Sequence, residues 1–382
     1  MHLESLPPEL QLVDGPASFG PYRVAEKLAG GGMAEVYKVY HEARPNDPLA
    51  LKLIRQDKND EGAFRHMLVD EAKIAGRLRH PNIARVLGLH EADGELGLIL
   101  EYVDGIDLVQ AQSVLRERQN RFTLPVAVYV LRQVLEGLDF AHNLKDEQGE
   151  PLQIVHRDVS PGNVMIDVVG RVRIVDWGIA RARRRDPMTM TDAGQVKGKF
   201  RYMAPEQITG KAVSPCTDVY AAAVTFWEIV AGKRIYDELD VPKLMMVVSR
   251  GDAPALTDAR ADVPSELADV YARATARNPD RRFQTAREML DALDKLTMKI
   301  DVDQAKQRLA QLPMAARLLD GRKGYERAVL MAKSAATEGD LEGALLRALE
   351  EPDRVEHVEV DWNALDEAER LRQARRSSSS GR

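Results

Sequence analysis

A run of glycines near the start of the chain has the composition of a loop that could bind phosphate. Gly30, Gly31 and Gly32 lie within residues 28–37, between two predicted strands. Because glycine has no side chain, backbone amides at these positions can approach phosphate oxygens closely. The same run also fits a simple hairpin turn. The glycines alone therefore leave both interpretations open.

A lysine inside an apolar segment gives a second chemical signal. Residues 49–54 read LALKLI and predict a strand that is interrupted by Lys52. A charge on the face of a sheet is costly unless it meets an anion, and Glu71, on a helix predicted over 61–79, is the natural partner. The alternative is a lysine at the edge of the sheet that faces water.

Three segments further along the chain decide between these interpretations. Residues 155–164 read VHRDVSPGNV, residues 174–178 read IVDWG and residues 202–206 read YMAPE. Their order and spacing resemble the catalytic loop, the metal-binding turn and the end of the activation segment of protein kinases. With the upstream lysine and glutamate included, residues 22–296 resemble a bacterial, eukaryotic-like serine/threonine protein kinase.

The resemblance implies a role for each polar residue of these motifs. Lys52 would hold the α- and β-phosphates of ATP, and Glu71 would hold Lys52. Asp176 and Asn163 would ligate Mg²⁺, with Mn²⁺ as the alternative ion, because such ions prefer oxygen ligands. Asp158 would orient the incoming hydroxyl and accept its proton. Taken singly, Asp158, Asn163 and Asp176 are better explained by tight turns, but taken together they favour the catalytic roles.

The resemblance also implies a surface that binds the nucleotide. Residues 98–103 resemble the hinge, in which Leu100 falls at the gatekeeper position and backbone groups of Glu101 and Val103 would pair with adenine. Asp107 matches the acidic residue that bonds the ribose. The full set expected to contact ATP is Leu28, Gly30, Gly31, Gly32, Val36, Ala50, Lys52, Glu101, Val103 and Asp107.

Two further matches concern support of the site. Asp218 resembles the helix aspartate that braces the backbone of the catalytic loop. Arg282 matches the buried partner of Glu206, and this ion pair would be structural.

Several positions depart from the family. Ala29 and Ala34 stand where the family usually has its first and third glycines, and Trp177 replaces the usual phenylalanine after the metal-binding aspartate. Alanine adds a methyl group and disfavours positive φ, so we expect a stiffer loop and weaker nucleotide binding.

Two other departures are complementary. Ser160 stands two residues after Asp158, where the family usually has lysine, and Lys199 follows Gly198, where the family usually has threonine. We expect Lys199 to supply the ammonium group at the γ-phosphate and Ser160 to supply the hydroxyl. The alternative is independent drift in a crippled enzyme. Loss of one electrostatic donor costs about 10²–10³ in rate, which would slow the enzyme without silencing it.

The elements that must position these residues follow from apolar periodicity. Residues 1–20 are predicted to be an irregular lead-in, and residues 21–297 a kinase domain. Within that domain, short apolar runs over 21–103 predict a small sheet with one helix, and 104–297 are predominantly helical in pattern. The resemblance implies the two-lobed α+β kinase fold, with a five-stranded sheet lobe and a larger helical lobe.

The remainder, residues 298–382, is charged and alanine-rich and ends in a serine-rich tail that we expect to be disordered. Residues 339–352 faintly resemble a tetratricopeptide repeat, but they stand alone, and stacked repeats need about three units to bury a core. We therefore expect a helical extension that packs on the kinase domain or on a partner protein.

Composition narrows the class of protein. The net charge of −6 argues against a dedicated nucleic-acid binder. One cysteine, Cys216, leaves no internal disulfide framework and fits a reducing compartment. The N-terminus lacks the pattern of a signal peptide, and no run of about 18 apolar residues predicts a membrane span. The sequence therefore predicts a cytoplasmic protein.

The leading expectation is transfer of the γ-phosphate of ATP to Ser and Thr hydroxyls of protein substrates, including the chain's own activation segment. The rival is a pseudokinase that acts as a binding scaffold, for which Ser160, Trp177 and the altered glycine loop argue. A kinase for small-molecule hydroxyls fits less well, because the activation segment resembles the protein-directed type.

Overall fold

The computed structural model describes residues 17–30, 34–54, 69, 72–177, 198, 200–237 and 239–335. The expectations for residues 1–16 and 336–382, including the repeat-like segment, lie outside this described part. The chain divides into two units, Met1–Met314 and Ala315–Arg382. Within the described ranges, no helix has the length and apolar character that crossing a membrane requires.

The first half of the larger unit is built on an antiparallel sheet with neighbour order β1-β2-β3-β4-β6-β5. Its strands are β1 Ser18–Phe19, β2 Tyr22–Gly30, β3 Ala34–His41, β4 Arg44–Ile54, β5 Val86–Ala92 and β6 Glu95–Glu101. The sheet has one strand more than the five expected. The additional strand is β1, and two residues are too few to produce a period-two pattern in the sequence.

The two faces of this sheet separate its core from its chemistry. Leu51 packs with Tyr37 and Val39 in a core on one face. Successive side chains of a strand point to opposite faces, so Lys52 belongs to the other face. There its cross-strand neighbour Leu98 packs against Ala72 of the helical segment 72–75. The fold therefore directs Lys52 towards the side of the sheet that carries the helix.

The second half is predominantly helical, as expected. Its helices are α1 Leu108–Glu117, α2 Leu124–His142, α3 Pro205–Ile208, α4 Pro215–Ala231, α5 Val241–Arg250, α6 Leu256–Ala259, α7 Ser265–Ala274 and α8 Ala286–Asp294, and α9 Val302–Ala335 follows them. Residues 216–230 of α4 are all buried, and most of them are apolar. The helix ends at Gly232, whose left-handed φ of 67° and amide bond to the Glu228 carbonyl stop it.

A small sheet positions the catalytic segments. Its strands, in the order β7-β8-β9, are β7 Gly105–Asp107, β8 Val164–Asp167 and β9 Val172–Ile174. The β8–β9 hairpin brings the loop before β8 next to the turn after β9. Its end is tied to the segment before β5, because the Ile174 amide donates to Asn82 at 2.8 Å and the Ile174 carbonyl accepts from Ala84 at 2.9 Å.

Candidate active site

The loop before β8 is anchored from below by Asp218 of α4. This fully buried carboxylate accepts the amide of His156 at 2.7 Å and that of Arg157 at 2.8 Å, and lies 2.8 Å from His142 Nε2. Burial alone would raise the pKa of Asp218, but the bonds from His142 and His156 outweigh it and lower the pKa. The expected bracing role of Asp218 is confirmed. His142 was missed, since a histidine at a helix end gives no distinctive signal.

The bracing holds an unfavourable backbone conformation. Arg157 has φ of 64°, a left-handed value that is uncommon for residues other than glycine. Its amide is bound by Asp218, and its carbonyl accepts from Gln207 Nε2 at 3.0 Å. This turn presents the next residue, Asp158, in front of the short 3₁₀ turn Pro161–Asn163.

Asp158 and Asn163 form one hydrogen-bonded unit. Asn163 Nδ2 donates to the backbone oxygen of Asp158 at 2.8 Å and to Asp158 Oδ2 at 2.9 Å. Because the nitrogen of the amide is used in this way, the oxygen is the atom that Asn163 can offer to a cation. The arrangement also fixes the orientation of the Asp158 carboxylate.

Asp176 and Lys52 meet across 124 residues of sequence. Lys52 Nζ contacts Asp176 Oδ1 in an ion pair between β4 and the turn after β9. Asp176 has φ of 58°, and the preceding Val175 amide donates to the Asn163 carbonyl at 2.9 Å. The turn therefore delivers Asp176 to the lysine and next to Asn163.

The donor set suits Mg²⁺. This ion takes few ligands from protein, usually one or two oxygens, and completes its shell with water and phosphate. The Asp176 carboxylate and the Asn163 amide oxygen meet that requirement. No group of three or more His, Cys, Asp or Glu side chains able to hold a metal occurs in the described ranges, so a fully proteinaceous metal cage is not the pattern found there.

Trp177 fits into the core behind the catalytic loop. Its ring is buried and meets the His156 ring edge-on, with centroids 4.7 Å apart. His156 Nε2 in turn lies 3.1 Å from the Val175 carbonyl. The large ring is thus accommodated, and it packs on the residue that precedes Arg157.

The hinge positions follow the last strand residue of β6, and the ribose position ends β7 of the small sheet. Glu101 ends β6, and Val103 is buried shortly after it. Asp107 is the N-cap of α1, where its Oδ1 accepts the Gln110 amide at 2.8 Å. Burial raises the pKa of Asp107, although the bond from Gln110 opposes the shift. A ribose would therefore meet a carboxylate that already caps a helix.

The remaining expected residues divide into two groups. Leu28 and Gly30 are exposed near the end of β2. On the neighbouring strands, Val36 lies opposite Lys52, and the buried Ala50 lies opposite Leu100. Ser160 is half-buried before the 3₁₀ turn. Outside the described residues lie Gly31, Gly32, Glu71 and Lys199. Their expected roles stay predictions.

The structural pair expected at the end of the activation segment is confirmed. Arg282 donates to both oxygens of Glu206, at 2.7 and 2.9 Å, and both side chains are buried. Thr217 Oγ1 donates to Glu206 at 2.9 Å, and the Arg282 guanidinium lies 4.7 Å from the centre of the Tyr220 ring. The pair therefore anchors residues 202–206 to α4.

Sequence reasoning missed Arg173 of β9. Its Nη1 donates to Glu101 Oε1 at 2.7 Å, which links the small sheet to the hinge. The signal was available, because Arg173 interrupts an apolar strand just as Lys52 does.

Known proteins resemble this chain over the region that carries the site. Residues 22–293 match the family model for the protein kinase domain. The tyrosine-protein kinase MasK of Myxococcus xanthus is 34% identical over 278 residues, which cover 72% of this chain and 43% of that protein. The serine/threonine-protein kinase PknD of Mycobacterium tuberculosis is 34% identical over 283 residues, which cover 74% of this chain and 40% of that protein.

The chain thus spans less than half the length of these two relatives. Among solved structures, the kinase domain of Mycobacterium tuberculosis PknI superposes with a TM-score of 0.56 at 30% identity, covering 73% of this chain and 96% of that domain. This likeness agrees with the two-lobed architecture described above.

Proposed function

This chain belongs to the protein kinase family, and on that premise we propose that it transfers the γ-phosphate of ATP to serine and threonine hydroxyls of proteins, its own activation segment included. The observation that supports the proposal most directly is the convergence of four side chains from distant segments. Lys52 meets Asp176, and Asn163 holds Asp158. These are the residue types that phosphoryl transfer requires.

The nucleotide would enter between the two halves of the larger unit. Its adenine would pair with backbone groups of Glu101 and Val103, and its ribose would meet Asp107. Lys52 would exchange part of its contact with Asp176 for the α- and β-phosphates. Asp176 and Asn163 would then hold Mg²⁺, which neutralises charge on the phosphates.

Asp158 would act on the acceptor. The Asn163 amide holds one carboxylate oxygen, so the carboxylate keeps a fixed orientation towards the incoming hydroxyl. The hydroxyl oxygen forms a bond to the γ-phosphorus, the bond to the β–γ bridging oxygen breaks, and ADP leaves. The hydroxyl proton passes to Asp158.

Lys199 and Ser160 would complete the site by exchanging the usual family roles. Ser160 lies half-buried two residues after Asp158. Phe200, which follows Lys199 in the sequence, is buried against Leu244 and Val248. Lys199 itself lies outside the described residues, so its role is proposed from the residue types at positions 160 and 199.

Tyrosine is the second candidate acceptor. MasK, a tyrosine-protein kinase, and PknD, a serine/threonine-protein kinase, are equally identical to this chain at 34%. Serine and threonine are favoured because residues 203–206 read MAPE and because PrkC of Bacillus subtilis, 29% identical, is also described as a serine/threonine-protein kinase. The scaffold alternative gains no support from these relatives.

The experiment combines purified full-length protein with γ-labelled ATP and Mg²⁺ or Mn²⁺, followed by mass-spectrometric mapping of each phosphorylated residue. Phosphoserine and phosphothreonine are the expected products, and Asp158→Asn protein is the control. If phosphotyrosine were the only product, the proposed acceptor would change from serine and threonine to tyrosine. No transfer to the chain itself or to generic protein substrates with either ion would favour the scaffold.

A further inference from the structure

A buried arginine joins the two sheets of the larger unit. Arg173 is the middle residue of β9 and is 9% exposed. Its Nη1 donates to Glu101 Oε1 at 2.7 Å, and its Nε lies 3.6 Å from Asp167 Oδ2. One guanidinium therefore bridges two carboxylates on two different strands, β6 and β8.

On one side, this bridge fixes the residue assigned to adenine. Glu101 Oε2 accepts the Arg85 amide at 3.2 Å, while the Glu101 amide donates to the Arg85 carbonyl at 2.9 Å. The side chain of Glu101 is thus held between Arg173 and Arg85. The backbone of Glu101 would pair with adenine. Displacement of its side chain would therefore also move the hinge peptide.

On the other side, the bridge reaches a tight turn. Asp167 Oδ1 accepts the amides of Val169 at 3.0 Å and Arg171 at 2.9 Å, which closes the turn between β8 and β9. The amide of Val168 donates to the carbonyl of Asp104 at 2.9 Å. The turn is therefore bonded to the chain just beyond the hinge as well as to Arg173.

The first turns of α9 lie against this turn. Gly170 has φ of 77°, and a Cβ at this position would lie 2.1 Å from the carbonyl oxygen of Lys306. Ala305 and Leu309, on the same helix, are buried. Only glycine meets both the backbone angle and the close approach. A shift of this part of the helix must therefore move the turn that carries Asp167.

We propose that Arg173 is a positioning residue for the nucleotide-binding hinge, and that the start of α9 sets its position through the Gly170 turn. The start of α9 thereby influences ATP affinity, through Lys306, Gly170, Asp167, Arg173 and Glu101 in succession. The inference rests on the proposed placement of adenine at the hinge. Arg173 itself touches neither phosphate nor acceptor in this scheme, so its effect falls on nucleotide affinity.

The first test compares two arginines that bind the same carboxylate. Arg173→Met should raise the KM for ATP at least about fivefold, the low end of typical coupling between sites, with little change in kcat. Arg171→Met is the matched control, because Arg171 Nε donates to Asp167 Oδ2 at 2.9 Å without a bond to Glu101. It should leave the KM unchanged. Arg173→Lys keeps the charge but not the two-armed geometry, and its KM should fall between the two.

Hydrogen exchange without nucleotide separates this inference from the proposed adenine site. Arg173→Met should speed exchange of the amides of residues 99–104, and the Arg173→Met and Glu101→Gln effects should be non-additive. Wild-type exchange rates at the hinge would overturn the positioning role. Faster exchange with an unchanged KM for ATP would instead show that Arg173 positions the hinge but that the hinge does not bind adenine. The proposed placement of adenine would then be wrong.

The second test addresses the helix. Gly170→Ala and Gly149→Ala both place alanine at a positive φ, 77° and 89°. In the described part of the chain, a Cβ at Gly149 would have no heavy atom within 4 Å apart from its own chain neighbours. Gly170→Ala should raise the KM for ATP in the same direction as Arg173→Met, and Gly149→Ala should not. Equal effects of the two variants on the KM for ATP would show that α9 does not influence the hinge.

Discussion

The side-chain amide of Asn163 donates to both the backbone oxygen and the carboxylate of Asp158, at 2.8 and 2.9 Å. The residue proposed to hold the metal therefore also orients the proposed base. This coupling gives the Asp158→Asn variant a specific outcome. Phosphotransfer should be abolished, whereas the affinity for ATP should be nearly unchanged, because a base acts on the transition state more than on ground-state binding.

The measurement is autophosphorylation rate together with nucleotide affinity by titration. Asp146→Asn is the control, since Asp146 caps an exposed turn through the amides of Gln148 and Glu150. It should retain wild-type activity. A phosphotransfer rate in Asp158→Asn equal to that of the wild type would show that another group accepts the proton.

Lys52 is expected to be indispensable for activity. Its ion pair with Asp176 places the ammonium group beside the proposed metal ligand. Lys52→Met keeps most of the side-chain volume but removes the charge that would meet the phosphates, so activity should be lost. The structural control is thermal unfolding, which should stay cooperative. Wild-type rates in a folded Lys52→Met protein would contradict the assignment.

Local motifs were predictable, and contacts between lobes were not. The catalytic loop and the metal turn follow from short segments whose spacing is visible in the sequence, and the Glu206–Arg282 pair was implied by the family resemblance. The ion pair of Lys52 with Asp176 joins residues 124 positions apart. It depends on how the two halves pack, which no local pattern encodes. Glu71, expected to be the partner of Lys52, lies outside the described residues, so that pairing stays a prediction.

The missed elements have different physical causes. Strand β1 contains two residues, Ser18 and Phe19, and Phe19 contributes by burying its ring in the sheet core. Arg173 was missed because a charge in an apolar strand was weighed only at Lys52. Strand β1 is decided by long-range packing, which stabilises segments whose own propensity is weak, whereas Arg173 could have been found from the sequence.

The Glu206–Arg282 pair should contribute strongly to stability. Both side chains are buried, and removal of one partner leaves an uncompensated buried charge, which costs about 3–5 kcal/mol. Arg282→Met should therefore lower the midpoint of urea unfolding markedly. Arg287→Met is the matched control, because Arg287 is mostly exposed in its pair with Asp139, and such pairs contribute about 0–1 kcal/mol. Equal losses in the two variants would refute the structural role.

Activation should depend on phosphorylation of Thr189 and Thr191, which lie outside the described residues. In the family that this chain belongs to, the arginine before the base commonly pairs with a phosphorylated activation segment, and here that residue is Arg157. Its backbone is fixed by Asp218 and Gln207, so its side chain starts from a rigid turn. A phosphate brings nearly two negative charges and strong bonds to arginine.

Mass spectrometry should find phosphate on one or both threonines, and the double Thr→Ala variant should be slower. Thr257→Ala, at an exposed position of α6, is the control and should keep full activity. Ordinary turnover by the double variant would remove this mode of control.

The exchange of Ser160 and Lys199 can be tested by a double-mutant cycle. If Lys199 supplies the ammonium group at the γ-phosphate, Lys199→Ala should lose about 10²-fold or more in rate. Ser160→Lys alone should not help, since two ammonium groups would repel each other at one anionic site. Combining Ser160→Lys with Lys199→Thr restores the usual family arrangement. The combination should recover much of the activity that Lys199→Thr alone loses, and kcat for a protein substrate is the measurement.

Non-additivity of the two substitutions distinguishes a functional exchange from independent drift. Residues that share one role give effects that do not add, whereas unrelated changes at separate sites do. Ser160 lies two residues from Asp158, so a lysine introduced there starts next to the proposed base. Additive effects, or a Lys199→Ala variant as fast as the wild type, would reject the exchange. Either result would strengthen the alternative in which this chain is a weakened kinase that acts by binding.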